Sequence, residues 1–477
     1  MARQATAGSL APATAGLKRK GPSLGPLVAC KRWRTTASGW ASLPTDLIQL
    51  VACRVLAGDV VDYIAFRGAC SGWRVCTPSP RDPTLRKYHF RPRGWVALCD
   101  GDGVRPDDAG EITFLHTRTS RCLRVSLPEI RRYRIAGFTD GLLILLHKRD
   151  TTVRVLHPFT RVVVDLPPLG PVYHEVVRNR NAMLEMRAAV CSALATSIAV
   201  VVWFPWTAPV VLCAVPFRSG WEVIHETMEL GNTLPFQGRL YGFLRLSRKI
   251  VQVYPPSPTG PVVANVPDKF GNPFLCHCHY YLVESGSHML LVFQHGNVKR
   301  EGTEPWQRFA FAIFRVDISD RWRLFPVTSL CNQALFLLED RCLSVSAKEL
   351  PSVSSNSVYF SVPLPDHVIM HSLKDQSFER PTMFCQVHNM KERIRSSVRP
   401  FTICDHLLTY CSHLEWARGL MFHEYNGVPE CFEDMWKKIR TQNSQLRIPR
   451  AIWGVTKGDR LGLVLEAQNL GGSELPG

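Results

Sequence analysis

Two hydrophobic rhythms divide the chain. Between residues 40 and 77, apolar side chains recur at helical spacing. Leu47, Leu50, Val51 and Val55 make one row, and Ile48, Ala52 and Leu56 make a second on a different face. Pro44 suits the opening of this helix, where an N–H would go unpaired, and Asp46 suits its positive first turn. Gly58 predicts the end of the helix. Asp59, with Asp62 as a weaker stand-in for the Glu or Gln of a capping box, predicts a second helix carrying Val60, Val61, Tyr63, Ile64 and Phe66. Ser71 is the expected cap of a third, which places Trp73.

Beyond about residue 110 the period shortens to two. Strands are expected at 111–115 and 122–127, and an apolar strand through Leu142, Leu143 and Ile144 follows the glycines Gly137 and Gly141. Further strands are expected at 152–156, 161–165, 212–217, 221–224, 236–243, 250–254, 280–284, 289–293, 309–316, 322–327, 334–338, 342–346 and 357–362, with Gly, Pro, Asn or Asp at the turns. Helical periods are nearly absent among them. Phe309 to Phe314 are apolar on both faces and predict a strand held between other layers. Hairpin pairs spaced by a few tens of residues favour a β-propeller, and a pair of large β-sandwiches is the alternative. After residue 396 the pattern turns helical again. One helix is expected through 405–410 and another after Pro429, with Phe432, Met435, Trp436, Ile439 and Leu446 on one face.

The fold class read from these rhythms is mainly β. It combines an N-terminal α-helical unit, a propeller-like domain of antiparallel hairpins and a short helical C-terminal segment. The expected organisation is a disordered basic tail over 1–39, the helical unit over 40–80, and the β domain over 81–395. A helical extension over 396–457 packs on that domain, and a disordered tail covers 458–477.

Charge sharpens this picture at one end. Of the net charge of +17, residues 1–40 supply +7 through Arg3, Lys18, Arg19, Lys20, Lys31, Arg32 and Arg34, with no acid among them. The two clusters, Lys18, Arg19 and Lys20 followed by Lys31, Arg32 and Arg34, are spaced like a bipartite nuclear-import signal, so nucleus and/or cytoplasm is the expected location. A merely solvating basic tail is the plainer alternative. Residues 78–135 are also basic and carry Tyr88, Phe90, Trp95 and Tyr133. Acids interrupt that stretch and it holds no nucleic-acid-binding signature, so nucleic acid is a disfavoured partner. Sixteen cysteines are scattered without a disulfide framework and read as reduced, mostly buried thiols.

Two stretches mimic other chemistry. Residues 188–217 carry no charge, but Pro205 and Pro209 interrupt them; two buried strands are expected there and no membrane span. Cys276, His277, Cys278 and His279 are metal-ligand types without a second pair at structural-zinc spacing, so a buried strand is expected and no metal. No nucleophile elbow, P-loop, metalloprotease helix or dinucleotide fingerprint is present. The chain is expected to be non-catalytic and to need no cofactor.

The helical unit has more apolar faces than three short helices bury against one another, and about 40 residues is near the limit for independent folding. Either the rest of the chain covers the surplus or a partner does. The residue types bear on that choice. Leu43, Pro44 and Asp46, then Asp59, then Phe66, Arg67, Cys70, Trp73 and Arg74 resemble the F-box motif along its whole length. That resemblance implies docking on the Skp-type adaptor of a cullin–RING scaffold, with Leu43, Pro44, Ile48, Val51, Ile64 and Trp73 as the adaptor-binding residues. Residues 137–146, 155–169, 236–243, 281–293, 311–319 and 335–360, in that order, are similar to the KIB-type β-propeller of plant F-box proteins, over roughly 110–365. Together the resemblances imply a substrate-recognition subunit of an SCF-type E3 ubiquitin ligase whose propeller binds a target protein. The alternatives are a basic nuclear protein that binds nucleic acid directly, or a propeller enzyme with a degenerate F-box.

Overall fold

The structure, a computed structural model, describes residues 39–98 and, apart from short breaks, 110–412. The import-like residues Lys18, Arg19, Lys20, Lys31, Arg32 and Arg34, the helix expected after Pro429 and the tail 458–477 lie outside the described residues.

Three helices open the described chain: α1 (Thr45–Gly58), α2 (Val60–Ala69) and α3 (Ser71–Cys76). Pro44 stands one residue ahead of α1, at its N-cap. Asp59 caps α2 by accepting the Val61 N–H at 3.0 Å. Ser71 does not cap α3. It is the first helical residue, and Cys70 holds the cap position without a side-chain hydrogen bond.

Six β-sheets then form the blades of a propeller. The first blade holds β1 (Trp95–Leu98), β2 (Glu111–His116) and β3 (Cys122–Ser126). The second is a four-strand meander, β4 (Tyr133–Thr139), β5 (Leu142–His147), β6 (Thr152–Leu156) and β7 (Val163–Pro168). Two short helices follow, α4 (Gly170–Val176) and α5 (Ala182–Glu185), which the strand-dominated pattern concealed. The third blade is β8 (Arg187–Cys191), β9 (Ala199–Phe204), β10 (Ala208–Ala214) and β11 (Glu222–His225). The uncharged run at 188–217 thus holds three strands, not two, with β8 ending at Cys191 and β9 opening at Ala199.

The fourth blade is β12 (Leu230–Phe236), β13 (Arg239–Leu244), β14 (Lys249–Tyr254) and β15 (Val262–Asn265). The fifth is β16 (His279–Ser285), β17 (His288–Gly296), β18 (Phe309–Val316) and β19 (Leu324–Val327). The sixth departs from the meander. Its hairpin, β20 (Gln333–Leu337) and β21 (Cys342–Ser346), is extended on the β20 side by β22 (Ser357–Val362), which pairs parallel to β20. Then come β23 (His367–Ser372), β24 (Ser377–Phe378) and β25 (Thr382–Met383), and a separate hairpin of β26 (Cys385–Asn389) with β27 (Ile394–Ser397).

Side-chain alternation explains why the blades stack. On β5, Leu143 and Leu145 join a core shared with the first and sixth blades, while Leu142, Ile144 and Leu146 join a core shared with the third. Separate cores then link the third to the fourth blade, the fourth to the fifth and the fifth to the sixth, which closes the ring. Strands buried on both faces are therefore apolar throughout, as β9 is. Gly137 marks how close the second and third blades come, since a Cβ there would lie 2.1 Å from the Ala188 carbonyl oxygen.

The ring is completed from the far end of the chain. The helix α6 (Ile403–Cys411), opened by a capping box of Thr402 and Asp405, packs along β1 and against β20 and β22. Leu407 and Cys411 are fully buried, and Tyr410 meets Phe138 of β4 at 5.1 Å. The helix thus bridges the first and sixth blades.

Candidate functional site

The two apolar rows of α1 have different fates. Ile48 and Ala52, of the second row, are buried, and Leu56 packs beside Ala52, Tyr63 and Phe90. In the first row, Leu47, Leu50 and Val51 stand 44%, 52% and 38% exposed. Trp40 and Val75 add further exposed apolar surface. Of the expected docking residues, Pro44 and Val51 lie at the surface, and Leu43, Ile64 and Trp73 are half-buried. Trp73 stacks on Phe66 at 4.5 Å and donates its indole N–H to the Trp40 carbonyl at 3.1 Å. Ile48 is covered by the chain itself, so it belongs to the fold rather than to a contact surface. Leu47 and Leu50, absent from the expected set, are exposed on the same helix, and their helical row was the available signal.

A buried polar node fixes the helical unit on the ring. Asp59, which caps α2, also accepts the Trp95 indole N–H at 2.8 Å and pairs with Arg121 at 2.8 Å. Arg121 lies 5.2 Å over the Trp95 ring and reaches Asp62 as well. Tyr63 stacks with Phe90 at 5.9 Å and donates its hydroxyl to the Pro78 carbonyl at 2.7 Å.

The segment leading into β1 lies across one mouth of the ring, where the inner strands β4 and β16 end. Arg91 pairs with Asp140 of the second blade at 2.8 Å, and Arg93 approaches Glu284 of the fifth at 3.7 Å. Burial, reinforced by Asp140 and opposed by Arg93, raises the Glu284 carboxyl to about 7. Gly141, at φ +77°, lets this segment close down: a Cβ there would lie 2.2 Å from the Pro92 carbonyl oxygen. His157 donates its Nε2–H to the Phe90 carbonyl at 2.9 Å, while its Nδ1 faces the Phe159 and Thr160 N–H groups. That pattern holds a neutral ring, and burial lowers its pKa to about 4.

At the opposite mouth, where the inner strands begin, a small cleft is lined by residues of the third to sixth blades, among them Arg187, Trp203, Asn232, His279, Tyr280 and Glu339. Its volume is about 40 Å³, far below the 300–1,000 Å³ typical of small-molecule sites. Asn232 ties three blades together: it accepts the Leu282 N–H at 2.7 Å and donates to the Glu339 carbonyl at 3.1 Å. Arg187 pairs with Asp340, and His279 lies 3.0 Å from the Glu339 carboxylate. His279 is partly exposed at the start of β16, not enclosed in a buried strand; Cys276 and His277 lie outside the described residues. No group of three or more metal-ligand residues, and no helix long and apolar enough to cross a membrane, occurs among the described residues. Within the basic stretch, Arg91 pairs with Asp140, Arg121 with Asp59 and Arg124 with Glu111.

Ring, helical unit and cleft describe a β-propeller suited to holding other proteins. The model of the KIB1-4 beta-propeller family matches residues 113–390, more than half of the chain, and the chain belongs to that family. The match runs past residue 365 because the sixth blade continues through β23 to β25. No curated protein matches the chain. Solved structures similar to it include a candidate phosphatase from Bacteroides thetaiotaomicron, 11% identical over 64% of this chain and 66% of that one, with a TM-score of 0.27. The chain thus spans slightly under two thirds of that protein. Citrobacter koseri AztD is 8% identical over 60% of this chain and 83% of its own, TM-score 0.26. The Malassezia sympodialis allergen Mala s 1 is 11% identical over 59% and 90%, TM-score 0.24.

Proposed function

We propose that the chain is the substrate-recognition subunit of an SCF-type cullin–RING E3 ubiquitin ligase. The helical unit docks on a Skp-type adaptor, and the propeller holds a target protein for ubiquitination. The chemistry belongs to the other subunits, and this chain contributes proximity. One observation carries the reading: α1 packs Ile48, Ala52, Val55 and Leu56 on its own fold and presents Leu47, Leu50 and Val51 outward. Such a helix face fits helix-in-groove recognition. The order of Leu43, Pro44, Asp46, Phe66, Arg67, Trp73 and Arg74 around it supports an F-box. The basic clusters before residue 40 support a location in the nucleus and/or cytoplasm.

The test is co-purification with a Skp-type adaptor. Leu43→Ala combined with Pro44→Ala should abolish it while the circular dichroism spectrum stays unchanged. Retention of the adaptor by the double variant would show that the interface is misplaced.

A further inference from the structure

The segment 87–94 joins the helical unit to the ring, and its main chain pairs with no strand among the described residues. Its Phe90 carbonyl accepts the His157 bond, and two of its side chains reach different blades, Arg91 to Asp140 of the second and Arg93 to Glu284 of the fifth. We propose that this segment is a proton-controlled strap. With Glu284 protonated it lies closed on the fifth blade, and loss of that proton lets it lift. The inference does not depend on the receptor reading above.

The two arginines are unequally committed. Arg91 is buried and holds Asp140 at 2.8 Å. Arg93 is 42% exposed, lies 4.2 Å over the Tyr88 ring, and divides itself between Asp140 at 3.9 Å and Glu284 at 3.7 Å. Neither distance is a hydrogen bond, and an ion pair this exposed contributes little. Glu284 itself accepts no hydrogen bond among the described residues. An ionised Glu284 would thus be stripped of water beneath the strap with Asp140 as a like-charged neighbour, and it keeps its proton up to about pH 7. The charged and titratable groups around it are Arg91, Arg93 and Tyr88 of the strap and Asp140 of the second blade. On β17 it faces Met289, and the adjoining Ser285 meets the Ser344 hydroxyl of β21. Lifting the strap hydrates the carboxyl and returns its pKa towards the ordinary 4.5. The closed form therefore binds the proton more tightly, so closure weakens as the pH rises from 4.5 to 7 and levels off above that.

The test is deuterium exchange of the peptide 88–95 in the full chain, wild type against Glu284→Gln, whose amide copies the protonated carboxyl. The ratio of the two proteins at each pH cancels intrinsic exchange and the contribution of His157 beneath Phe90. That ratio should rise on the order of tenfold between pH 6 and pH 8, the change that a closed state of pKa about 7 and a lifted state of 4.5 produce. Glu284→Ala, a second variant without the titrating group, should give the same rise against wild type. Strap amides should exchange faster than those of β5 throughout, as local opening requires. A ratio that stays flat, or strap and β5 amides exchanging at one rate, would overturn the proposal. A ratio that falls would overturn it too, because attraction to Arg93 would then outweigh burial.

Discussion

Replacing Asp59 with alanine should free the helical unit from the ring without unfolding the ring. The side chain is 5% exposed and serves three partners. Loss of the α2 cap costs about 1 kcal/mol. The Trp95 indole N–H, buried at the start of β1, would lose its acceptor at a further cost of about 1–3 kcal/mol. The Arg121 side chain is 36% exposed, so its ion pair adds less than about 1 kcal/mol. The sum, about 3 kcal/mol, corresponds to on the order of a 100-fold rise in local opening. Hydrogen exchange read by mass spectrometry should therefore show α2 amides exchanging about 100-fold faster, with β5 amides unchanged. Asp59→Asn keeps an acceptor for the cap and the indole and should cost roughly 1 kcal/mol. Unaltered exchange in α2, or equal acceleration in β5, would refute the claim that this node pins the helices.

Further outcomes follow from the ring. His157 is neutral when folded, with a pKa lowered to about 4 from 6.5 by burial. The unfolded chain binds that proton more readily, so the stability it supplies is complete above pH 6.5 and falls by ~3 kcal/mol as the pH drops to 4. Urea midpoints at pH 7 and 5 should differ less in His157→Gln than in wild type; an identical difference would contradict this assignment. Leu407→Ala empties a fully buried site on α6 and should cost about 2–5 kcal/mol. A thermal melt indistinguishable from wild type would mean that α6 does not help close the ring.

Much of the fold was legible where local pattern and tertiary environment agree. Strands β6, β18, β21 and β22 fall where alternation and turn residues placed them. Strand β12 was not visible, because Gly231, Asn232 and Pro235 break its apolar pattern, yet it is an inner strand whose Asn232 is buried by bonds to two other blades. The expected strand 236–243 hides a turn at Gln237 and Gly238, both at positive φ. The parallel pairing of β22 with β20 and the seating of α6 beside β1 join segments far apart in sequence, which periodicity cannot reveal. The same holds for the cleft, whose lining comes from four blades. On α1 the two rows were plain, but which of their residues turned inward, Val55 of the first among them, depends on Tyr63 and Phe90 beneath the helix.

The most direct measurement of the central claim is a calorimetric titration of purified Skp-type adaptor into this chain and into a Leu47→Glu, Leu50→Glu variant. Saturable one-to-one binding by the wild type should weaken on the order of 100-fold or more in the variant, since each fully buried leucine contributes about 1.5–3 kcal/mol, while both melt at the same temperature. No binding by the wild type, or equal affinity in the variant, would contradict the account.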